Sequence, residues 1–556
     1  MKRIKLSILC AASLLFCPAQ QVEAQTPAFP TAEGYGMYSV GGRGGAVVAV
    51  TNLEDDVNLE GSLRWALAQH TGKPLTVVFR VSGIIKLKSD LRCKRDYLTI
   101  AGQTAPGDGI CIRGAKVNLG GSNHLVVRHL RFRVGLTDDG GFIKGGSIGI
   151  ENATNFIIDH CTFGWSGEEN MTIYDNKNTT IQWCIVHEGL YDAGHTKGQR
   201  SYGTQWGGQS ATYHHNLLAN NHNRSPRFNG ARSNDLNVLI DYVNNVNFNW
   251  GKENSCYGGD IEKNTHRANF VNNYYKPGPG RPANRSSYFV QSSYGGAANK
   301  VAEWWMSGNI MEGNVNMTAD NFLGLDRSRY PAESRPAMQS SAPFEVPYPV
   351  ATETAEDAYL SVLERAGAFP RDAVDARIVN EVRTGVVTGS GTFSNGAVLG
   401  FIDDPDVVGG YPEYNTSNVP TDADHDGMDD AWELENGLNP NDPEDGNKLT
   451  ASGYTALEVY LNSLVGEMIP LEFNNTSIEK QAADEITFYI QDNQLYYTSS
   501  KPIVQISIYN ILGVNESLEQ IDATQSSIDI SRLSSGVHIF KATFEDSKTM
   551  ILKFKK

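Results

Sequence analysis

The chain has 556 residues, of which 40% are hydrophobic and 20% charged, a composition that excludes global disorder and allows several domains. Its formal net charge of −16 argues against a nucleic-acid-binding protein that works through a basic surface. Sixteen acidic residues and one lysine lie between residues 401 and 470, so this stretch carries nearly all of the excess negative charge.

The first 24 residues are typical of a secretory signal. Three basic residues precede an apolar run at residues 6–16, and the small-residue site Val22-Glu23-Ala24 follows. The apolar run is shorter than the roughly 20 residues that a membrane span needs. We therefore expect an exported protein without a transmembrane segment. A membrane anchor or a lipidated Cys17 is the alternative.

Five cysteines remain beyond the signal, an odd number for a large chain. A disulfide framework is therefore not expected, and the cysteines are predicted to be small buried hydrophobic residues with at most one bridge. They are Cys93, Cys111, Cys161, Cys184 and Cys256.

Residues 95–315 repeat one pattern: a short β-branched or aromatic strand, a small polar residue, then a loop. The repeats start roughly 24 to 33 residues apart, which lies in the range of solenoid proteins. No helical periodicity separates the strands, so a βαβ sheet is disfavoured. The pattern predicts an all-β fold, a parallel β-helix whose coils stack about 4.8 Å apart. A β-sandwich or propeller is the competing architecture, but it needs more hairpin turns than the sequence offers.

Matching positions of neighbouring coils can be identified within this repeat. Cys161 and Cys184 are predicted to occupy equivalent places. Asn216, Asn245 and Asn273 can form an inward ladder whose side-chain amides bind turn backbone.

The remaining segments suggest smaller modules. Residues 355–385 have helical spacing and are predicted to flank the coils, and residues 386–420 have the composition of a linker. Residues 471–556 alternate apolar and polar positions, which predicts a small antiparallel β-sandwich. The expected domains are a signal (1–24), a β-helix (25–400), an acidic module (401–470) and a terminal sandwich (471–556).

The acidic module contains a twelve-residue loop with the spacing of an EF-hand-like, or thrombospondin type 3-like, calcium site. One calcium ion takes six or more oxygens, which this spacing can supply from a single turn with Gly427 at its sharpest point. A merely solvated acidic loop is the alternative, but its charges would repel one another. The predicted ligands of this structural Ca²⁺ are Asp422, Asp424, Asp426, Met428 through its carbonyl, Asp430 and Glu433.

Positive charge concentrates in residues 196–300, with twelve basic and five acidic residues. Arg224-Ser225-Pro226-Arg227 places two guanidinium groups around a stiff proline, which suits bidentate binding of carboxylates. This pattern favours an anionic polymer as the partner. A solvated basic face is the alternative. A glycoside hydrolase would need two facing carboxylates, for which this region offers poor candidates.

Seven motifs follow one another in order at residues 28–36, 41–45, 48–53, 61–67, 158–161, 214–217 and 224–227, and together they resemble the pectate lyases of polysaccharide lyase family 1. The Gly41-Gly42-Arg43-Gly44-Gly45 motif taken alone could suggest a phosphate loop, but it lacks the Lys-Ser/Thr ending of one. The likeness covers about residues 26–385.

The resemblance implies a right-handed parallel β-helix, like that of pectin lyase, and calcium-assisted β-elimination in polygalacturonate. It implies that Arg224 is the catalytic base and that Arg227 binds a substrate carboxylate. Further predicted substrate contacts are His195, Lys197 and Arg232.

The metal site departs from the family pattern. By resemblance Glu168 and Glu169 are the ligands of a catalytic Ca²⁺, but Ser147 stands where an aspartate is expected and Thr172 replaces a possible further ligand. This difference leaves open a specificity other than fully de-esterified pectate.

The tail, residues 506–556, resembles the C-terminal sorting domain of type IX secretion in Bacteroidota. That likeness implies delivery to the cell surface or medium through the type IX machinery. A carbohydrate-binding sandwich is the alternative. We expect a monomer that acts on a pectate polysaccharide, with a hydrolase or a non-catalytic pectin-binding β-helix as the rival functions.

Overall fold

The structure is a computed structural model that describes residues 25–473 and 486–556, apart from residues 253, 282–286, 296–299, 492, 511–513, 534–535 and 546–547. The predicted signal, residues 1–24, lies outside the described residues. The chain divides into two compact units, Met1–Glu472 and Phe473–Lys556. In the described part, helices are too short or too polar to cross a membrane.

The first unit is a parallel β-helix, as the repeat predicts. Its described strands form three parallel sheets, and the chain visits sheet 1, sheet 2 and sheet 3 in turn on each coil. The ten strands of sheet 1 are Ala46–Val50, Leu75–Phe79, Leu98–Ala101, Asn123–Arg128, Thr154–Asp159, Lys177–Gln182, Ala211–His214, Asn237–Val243, Thr265–Val271 and Glu303–Ser307.

Sheets 2 and 3 have nine described strands each. The strands of sheet 2 are Gly83–Lys86, Ile110–Arg113, Arg131–Arg133, Thr162–Gly164, Ile185–His187, Leu217–Ala219, Val246–Phe248, Tyr274–Lys276 and Ile310–Met311. The strands of sheet 3 are Leu91–Arg92, Val117–Asn118, Ile148–Glu151, Glu169–Tyr174, Tyr202–Trp206, Arg227–Phe228, Asn254–Gly258, Tyr288–Ser292 and Leu325–Asp326.

An asparagine ladder runs through the interior of the later coils. The Asn216 side-chain amide donates to Asn245 Oδ1 at 3.0 Å, and that of Asn245 donates to Asn273 Oδ1 at 3.1 Å. Asn309 and Asn321 extend the ladder beyond the three predicted members. Each amide also binds backbone carbonyls, so buried polar groups are satisfied without charge.

The cysteine predictions are confirmed. Thr162 pairs with Ile185 in neighbouring strands, which places the preceding residues, Cys161 and Cys184, at equivalent positions. All five described cysteines are buried and free, so no bridge forms among them. Cys93, Cys161, Cys184 and Cys256 fill space beside aliphatic and aromatic side chains within the coils.

Two helices cover the outer face of sheet 2. The first, Ala355–Arg365, begins where Thr354 accepts a hydrogen bond from the Asp357 amide, and the second is Ala373–Thr384. Their apolar side chains form one buried cluster with residues of sheet 2, so the predicted flanking role is confirmed. The other described helices are Leu63–Ala68, Val315–Ala319, Asp430–Glu435 and Ala456–Ser463, with 3₁₀ turns at Gly102–Thr104, Asn321–Gly324, Ala332–Met338, Thr392–Ser394, Pro405–Val408 and Asp445–Asn447.

Residues 386–420 do not behave as a solvated linker, and that prediction is wrong. Phe401 and Ile402 are fully buried. The Tyr411 hydroxyl donates to the Arg133 carbonyl at 2.8 Å, and the Tyr414 hydroxyl donates to Asp372 at 2.6 Å. The aromatic and aliphatic residues among the glycines and prolines fasten this stretch to the coils.

The acidic segment, residues 401–470, lies in the same compact unit as the coils. Arg43 pairs with Glu458 at 2.8 Å, and the buried Arg128 pairs with Glu467 at 2.6 Å. One helix, Asp430–Glu435, follows the predicted calcium loop, whereas the described residues 411–421 before the loop are not helical. The module is therefore not a complete helix–loop–helix.

The second unit is an antiparallel sheet of five described strands. Its long strand Gln494–Asn510 has register irregularities near its middle, and residues from both halves enter one apolar core. The strands are Ile486–Gln491, Gln494–Asn510, Asn515–Asp529, Val537–Phe544 and Thr549–Lys555.

Candidate active site

A row of partly exposed side chains follows the outer face of sheet 3, which the two flanking helices leave uncovered. The row follows strand register: the residues pair directly from coil to coil, and their sequence neighbours point into the core. This row, with the side chains beside it, is called the groove below. Its members include Thr172, Gln205, Arg227, Tyr257 and Gln291.

Arg224 lies beside this row, just before the strand Arg227–Phe228. Its Nε donates to the Tyr257 hydroxyl at 3.0 Å, and its guanidinium carbon lies 4.2 Å from the centre of the Tyr202 ring. Its Nη1 is paired with the Glu169 carboxylate. The predicted base is therefore enclosed by two aromatic residues and one acid.

The surroundings of Arg224 act on its pKa in opposite directions. Burial lowers the pKa of Arg224 below its ordinary value, and the nearby Arg227 acts in the same direction. The Tyr257 hydroxyl opposes this shift. The Glu169 carboxylate also favours the charged guanidinium by direct attraction, so Arg224 becomes easier to deprotonate when that pair opens.

Glu168 and Glu169 are adjacent at the start of a sheet 3 strand, and both carboxylates reach the groove. Glu168 Oε1 lies 2.9 Å from His195 Nε2, and Glu169 Oε1 is paired with Arg224. The second oxygen of each has no partner among the described residues. Two carboxylate oxygens are therefore free to bind a hard cation.

These two acids fit a calcium ion only in part. Calcium takes six to eight oxygens, so waters and an acidic ligand would have to complete the shell. Ser147 cannot contribute as it stands, because it is 1% exposed and its hydroxyl donates to the Gly164 carbonyl at 3.1 Å. Ser147 therefore differs from the aspartate of the family pattern in residue type, and its side chain is also held within the protein.

The other predicted substrate contacts divide into two groups. Arg227 and Arg232 both approach Asp260 Oδ2, at 2.9 and 3.4 Å. His195 is held by Glu168, whereas Lys197 is exposed and only its backbone amide contacts His195. The structure therefore brings Arg224, Glu168, Glu169 and His195 together around one part of the groove but gives the Lys197 side chain no fixed place there.

Three groove residues were missed by the sequence analysis. Tyr202 pairs in register with Glu169, and Tyr257 pairs with Arg227, so coil-to-coil alignment could have found both. Arg200 donates to the Tyr202 hydroxyl at 3.1 Å and lies 3.3 Å from His195 Nδ1. The excess of basic residues was a signal for Arg200, but its loop position could not be predicted.

The predicted calcium loop of the acidic segment brings most of its acids together. The carboxylates of Asp422, Asp424 and Asp426 approach within 4.8 Å, and those of Asp426, Glu433 and Asp445 do likewise. We call these five residues the acidic cluster. Asp445 was not predicted, because it lies twelve residues beyond the end of the loop.

Two other predicted ligands have hydrogen-bond partners of their own in the protein. Asp430 Oδ1 accepts a hydrogen bond from the Ala423 amide at 2.9 Å, and the Met428 carbonyl accepts one from Arg80 at 3.3 Å. Burial and neighbouring carboxylates raise the pKa of Asp426 to about 7 and that of Glu433 to about 8. The acidic cluster therefore concentrates negative charge that the protein itself does not neutralise.

Curated proteins with similar sequences extend over most of the chain. Probable pectate lyase C of Emericella nidulans is 31% identical over 442 residues, which cover 79% of this chain and 93% of that protein. Probable pectate lyase C of Aspergillus fumigatus is 33% identical over 441 residues, which cover 79% of this chain and 94% of that protein.

Two solved structures are also similar. The cedar pollen allergen jun a 1 has a TM-score of 0.40 and 17% identity, covering 61% of this chain and 92% of that one. Pectate lyase Bsp165PelA from Bacillus sp. N165, solved with trigalacturonate, has a TM-score of 0.40 and 14% identity, covering 60% and 98%. A scan against protein-family models gave no match.

The sequence relatives match along more than nine-tenths of their own length at identities above 30%. The parallel β-helix agrees with the fold that the motifs imply. The chain therefore belongs to the pectate lyase family of polysaccharide lyases.

Proposed function

We propose that the protein cleaves α-1,4-polygalacturonate by calcium-assisted β-elimination and releases 4,5-unsaturated oligogalacturonides. The observation that carries this proposal is the position of Arg224, half enclosed by Tyr202 and Tyr257 and paired with Glu169 in an open groove. The pectate lyase names of the relatives support the choice of substrate.

The groove is suited to an acidic polymer that lies across several coils. Basic side chains at Arg200, Arg227 and Arg232 can bind successive uronate carboxylates, and guanidinium groups do so with two parallel hydrogen bonds. Asp260 already compensates part of the charge of Arg227 and Arg232. This pairing holds both side chains in place. It also lowers the net positive charge that they offer to the polymer, so tight binding of the polymer needs positive charge from other groups of the groove.

In the proposed reaction Arg224 takes the proton from C5 of the uronate. The electron pair of the C5–H bond forms the C4–C5 double bond. The C4–O bond to the next sugar breaks, and its electron pair leaves with the oxygen, which takes a proton from water to become a hydroxyl group. Neutral guanidine is the form that can accept the proton, so the pair with Glu169 must open first. Burial of Arg224 beside Arg227 favours that form.

Glu168 and Glu169 would hold the calcium ion, through the two carboxylate oxygens that have no described protein partner. When bound, calcium supplies positive charge that stabilises the enolate-like intermediate at the substrate carboxylate. His195 fixes Glu168 at 2.9 Å, so it keeps that ligand oriented toward the groove.

A second substrate is favoured by a specific observation. Ser147 and Thr172 offer no carboxylates, so the groove holds fewer calcium ligands than the family pattern implies. A partly methyl-esterified pectin needs less neutralisation of charge than pectate does. Pectin lyase activity, or action on another uronate polymer, is therefore the alternative proposal.

Export completes the proposal. The signal-like residues 1–24 and the sorting-like tail support delivery to the cell surface or medium of a Bacteroidota-type cell by type IX secretion. The antiparallel sheet of residues 486–556 is compatible with a sorting domain. Fusing the tail to a periplasmic reporter tests this: export supports the proposal, and retention contradicts it.

The enzymatic proposal is tested by following the ultraviolet absorbance of unsaturated uronides. Purified protein is incubated with polygalacturonate or with methyl-esterified pectin, each with calcium and then with a chelator. We expect absorbance to rise on polygalacturonate with calcium and to stop with the chelator. A rise confined to esterified pectin would support the alternative, and no rise on either polymer would contradict lyase activity.

A further inference from the structure

The acidic cluster differs from an ordinary acidic surface because its carboxylates are buried. Glu433 and Asp445 are fully buried, and Asp426 is 4% exposed. Neither oxygen of Glu433 has a hydrogen-bond partner among the described residues, and the same is true of Asp426 Oδ2 and Asp445 Oδ1. Leaving a buried charge without a partner is strongly unfavourable, so a cation bound to these oxygens would stabilise them.

Protein cations do not supply the missing charge. Arg80 Nη2 donates to Asp422 Oδ2 at 2.7 Å, on one side of the acidic cluster. Lys448 Nζ lies 3.7 Å from Asp445 Oδ2, and the Asn439 amide donates to that same oxygen at 2.8 Å. Both contacts leave Asp445 Oδ1 free. Five carboxylates thus share one close guanidinium group and one distant ammonium group.

We infer that Asp422, Asp424, Asp426, Glu433 and Asp445 form a second, structural calcium site that fastens the acidic segment to the first coils of the β-helix. Five carboxylates can supply six to eight oxygen ligands in the irregular geometry that calcium accepts. Magnesium is less suited, since it requires a small octahedral shell and keeps its waters. The site does not rest on the proposed catalytic function.

The coupling to the coils is direct. Arg80 follows the sheet 1 strand Leu75–Phe79 and binds both Asp422 and the Met428 carbonyl. A Cβ atom at Gly427 would lie 2.8 Å from Val47 Cγ1, so the loop backbone is in close contact with sheet 1. An ion that orders the loop therefore also orders its contact with the first two strands.

The ligands in the structure differ from those that the sequence motif assigns. The twelve-residue pattern assigns a place to Asp430, whereas the structure directs Asp430 to the Ala423 amide and brings in Asp445 from a separate turn. Closing the site with Asp445 ties residues 422–445 into one loop around the ion. Removal of calcium should therefore loosen this whole stretch.

The experiment measures calcium binding by calorimetry in the full protein without substrate, and thermal unfolding under the same conditions. We expect one tight site and a rise of several degrees in the unfolding midpoint at saturating calcium. Asp445→Asn should weaken binding by at least about tenfold, because it removes a ligand charge. Asp430→Asn, at a residue whose Oδ1 is already held by the Ala423 amide, should weaken binding less than Asp445→Asn does. Magnesium at equal concentration should give a smaller rise.

Limited proteolysis of the unmodified protein provides a test that needs no variant. Chelation should speed cleavage within residues 436–446, and added calcium should restore protection. The inference is overturned if Asp430→Asn abolishes binding while Asp445→Asn does not, or if calcium changes neither the unfolding midpoint nor the cleavage rate. Lyase activity enters none of these readouts, so they stand apart from the proposed reaction.

Discussion

The groove and the acidic cluster both gather carboxylates, but the two regions compensate their charge in different ways. In the groove Glu169 is paired with Arg224, Glu168 with His195, and Asp260 with two arginines. In the acidic cluster, by contrast, buried oxygens of Asp426 and Glu433 have no partner among the described residues. The acids of the groove therefore have protein partners without an ion, whereas those of the acidic cluster are the ones that a bound ion would stabilise.

This difference has a functional meaning. A groove whose acids already have partners can bind calcium weakly and exchange it with each substrate chain. A buried, uncompensated cluster is expected to bind calcium tightly and keep it, since its carboxylates otherwise repel one another. One calcium ion would then act in catalysis in the groove, and another would stabilise the fold in the acidic cluster.

The largest expected effect comes from replacing the proposed base. Arg224→Lys keeps a positive charge but removes the planar group that contacts Tyr202, Tyr257 and Glu169. We expect kcat to fall by about 10²- to 10⁴-fold, the usual contribution of general acid–base catalysis. Initial rates from uronide absorbance measure this change.

The matched control for that variant is Arg267→Lys. Arg267 is about half exposed on sheet 1 and pairs with Glu303 at 3.3 Å, away from the groove. Its replacement should leave kcat unchanged. Equal losses in both variants would mean that Arg224 acts through general stability rather than through the reaction.

The second-largest expected effect is a loss of stability when the interior asparagine ladder is broken. The buried polar groups of the ladder are paired with neutral neighbours, so removing one side chain leaves its neighbours short of hydrogen bonds. Asn245→Ala removes the oxygen that accepts from the buried Asn216 backbone and side-chain amides, and it removes the amide that donates to the Tyr213 carbonyl. We expect a loss of about 3 kcal/mol in the free energy of unfolding, since each unsatisfied buried group costs about 1–3 kcal/mol. Urea unfolding measures it, and the exposed Asn316→Ala should cost less than about 0.5 kcal/mol.

A smaller effect is expected at Tyr257, which lies between two arginines of the groove. Tyr257→Phe removes the hydrogen bond to Arg224 Nε but keeps the ring near Arg227. We expect kcat/KM to fall about fivefold, corresponding to about 1 kcal/mol for one hydrogen bond. Steady-state kinetics on polygalacturonate measure this change. An unchanged kcat/KM would mean that the Tyr257 hydroxyl does not position Arg224.

The sequence predicts the solenoid because each coil repeats the same inner and outer positions. The ladder of Asn216, Asn245 and Asn273 is visible in the sequence for that reason. Residues 386–420 were misread, because their glycines and prolines hide the few side chains, such as Phe401, that anchor them.

The two candidate sites differ in how far they could be predicted. The spacing within residues 422–433 predicts a loop, since its ligands are close in sequence. Asp445 could not be found, because the turn Asp445–Asn447 brings it back from outside the motif. Tyr202 lies 33 positions from its register partner Glu169, so only the alignment of coils reveals that they are neighbours.

The central claim is that calcium serves the reaction in the groove and the fold in the acidic cluster. The most direct test is the initial rate of uronide formation as a function of free calcium, at a temperature well below unfolding, for the unmodified protein, Glu169→Gln and Asp445→Asn. We predict that Glu169→Gln raises the calcium concentration at half-maximal rate by about tenfold, whereas Asp445→Asn leaves it unchanged. A shift of that concentration in Asp445→Asn, with none in Glu169→Gln, would contradict the claim.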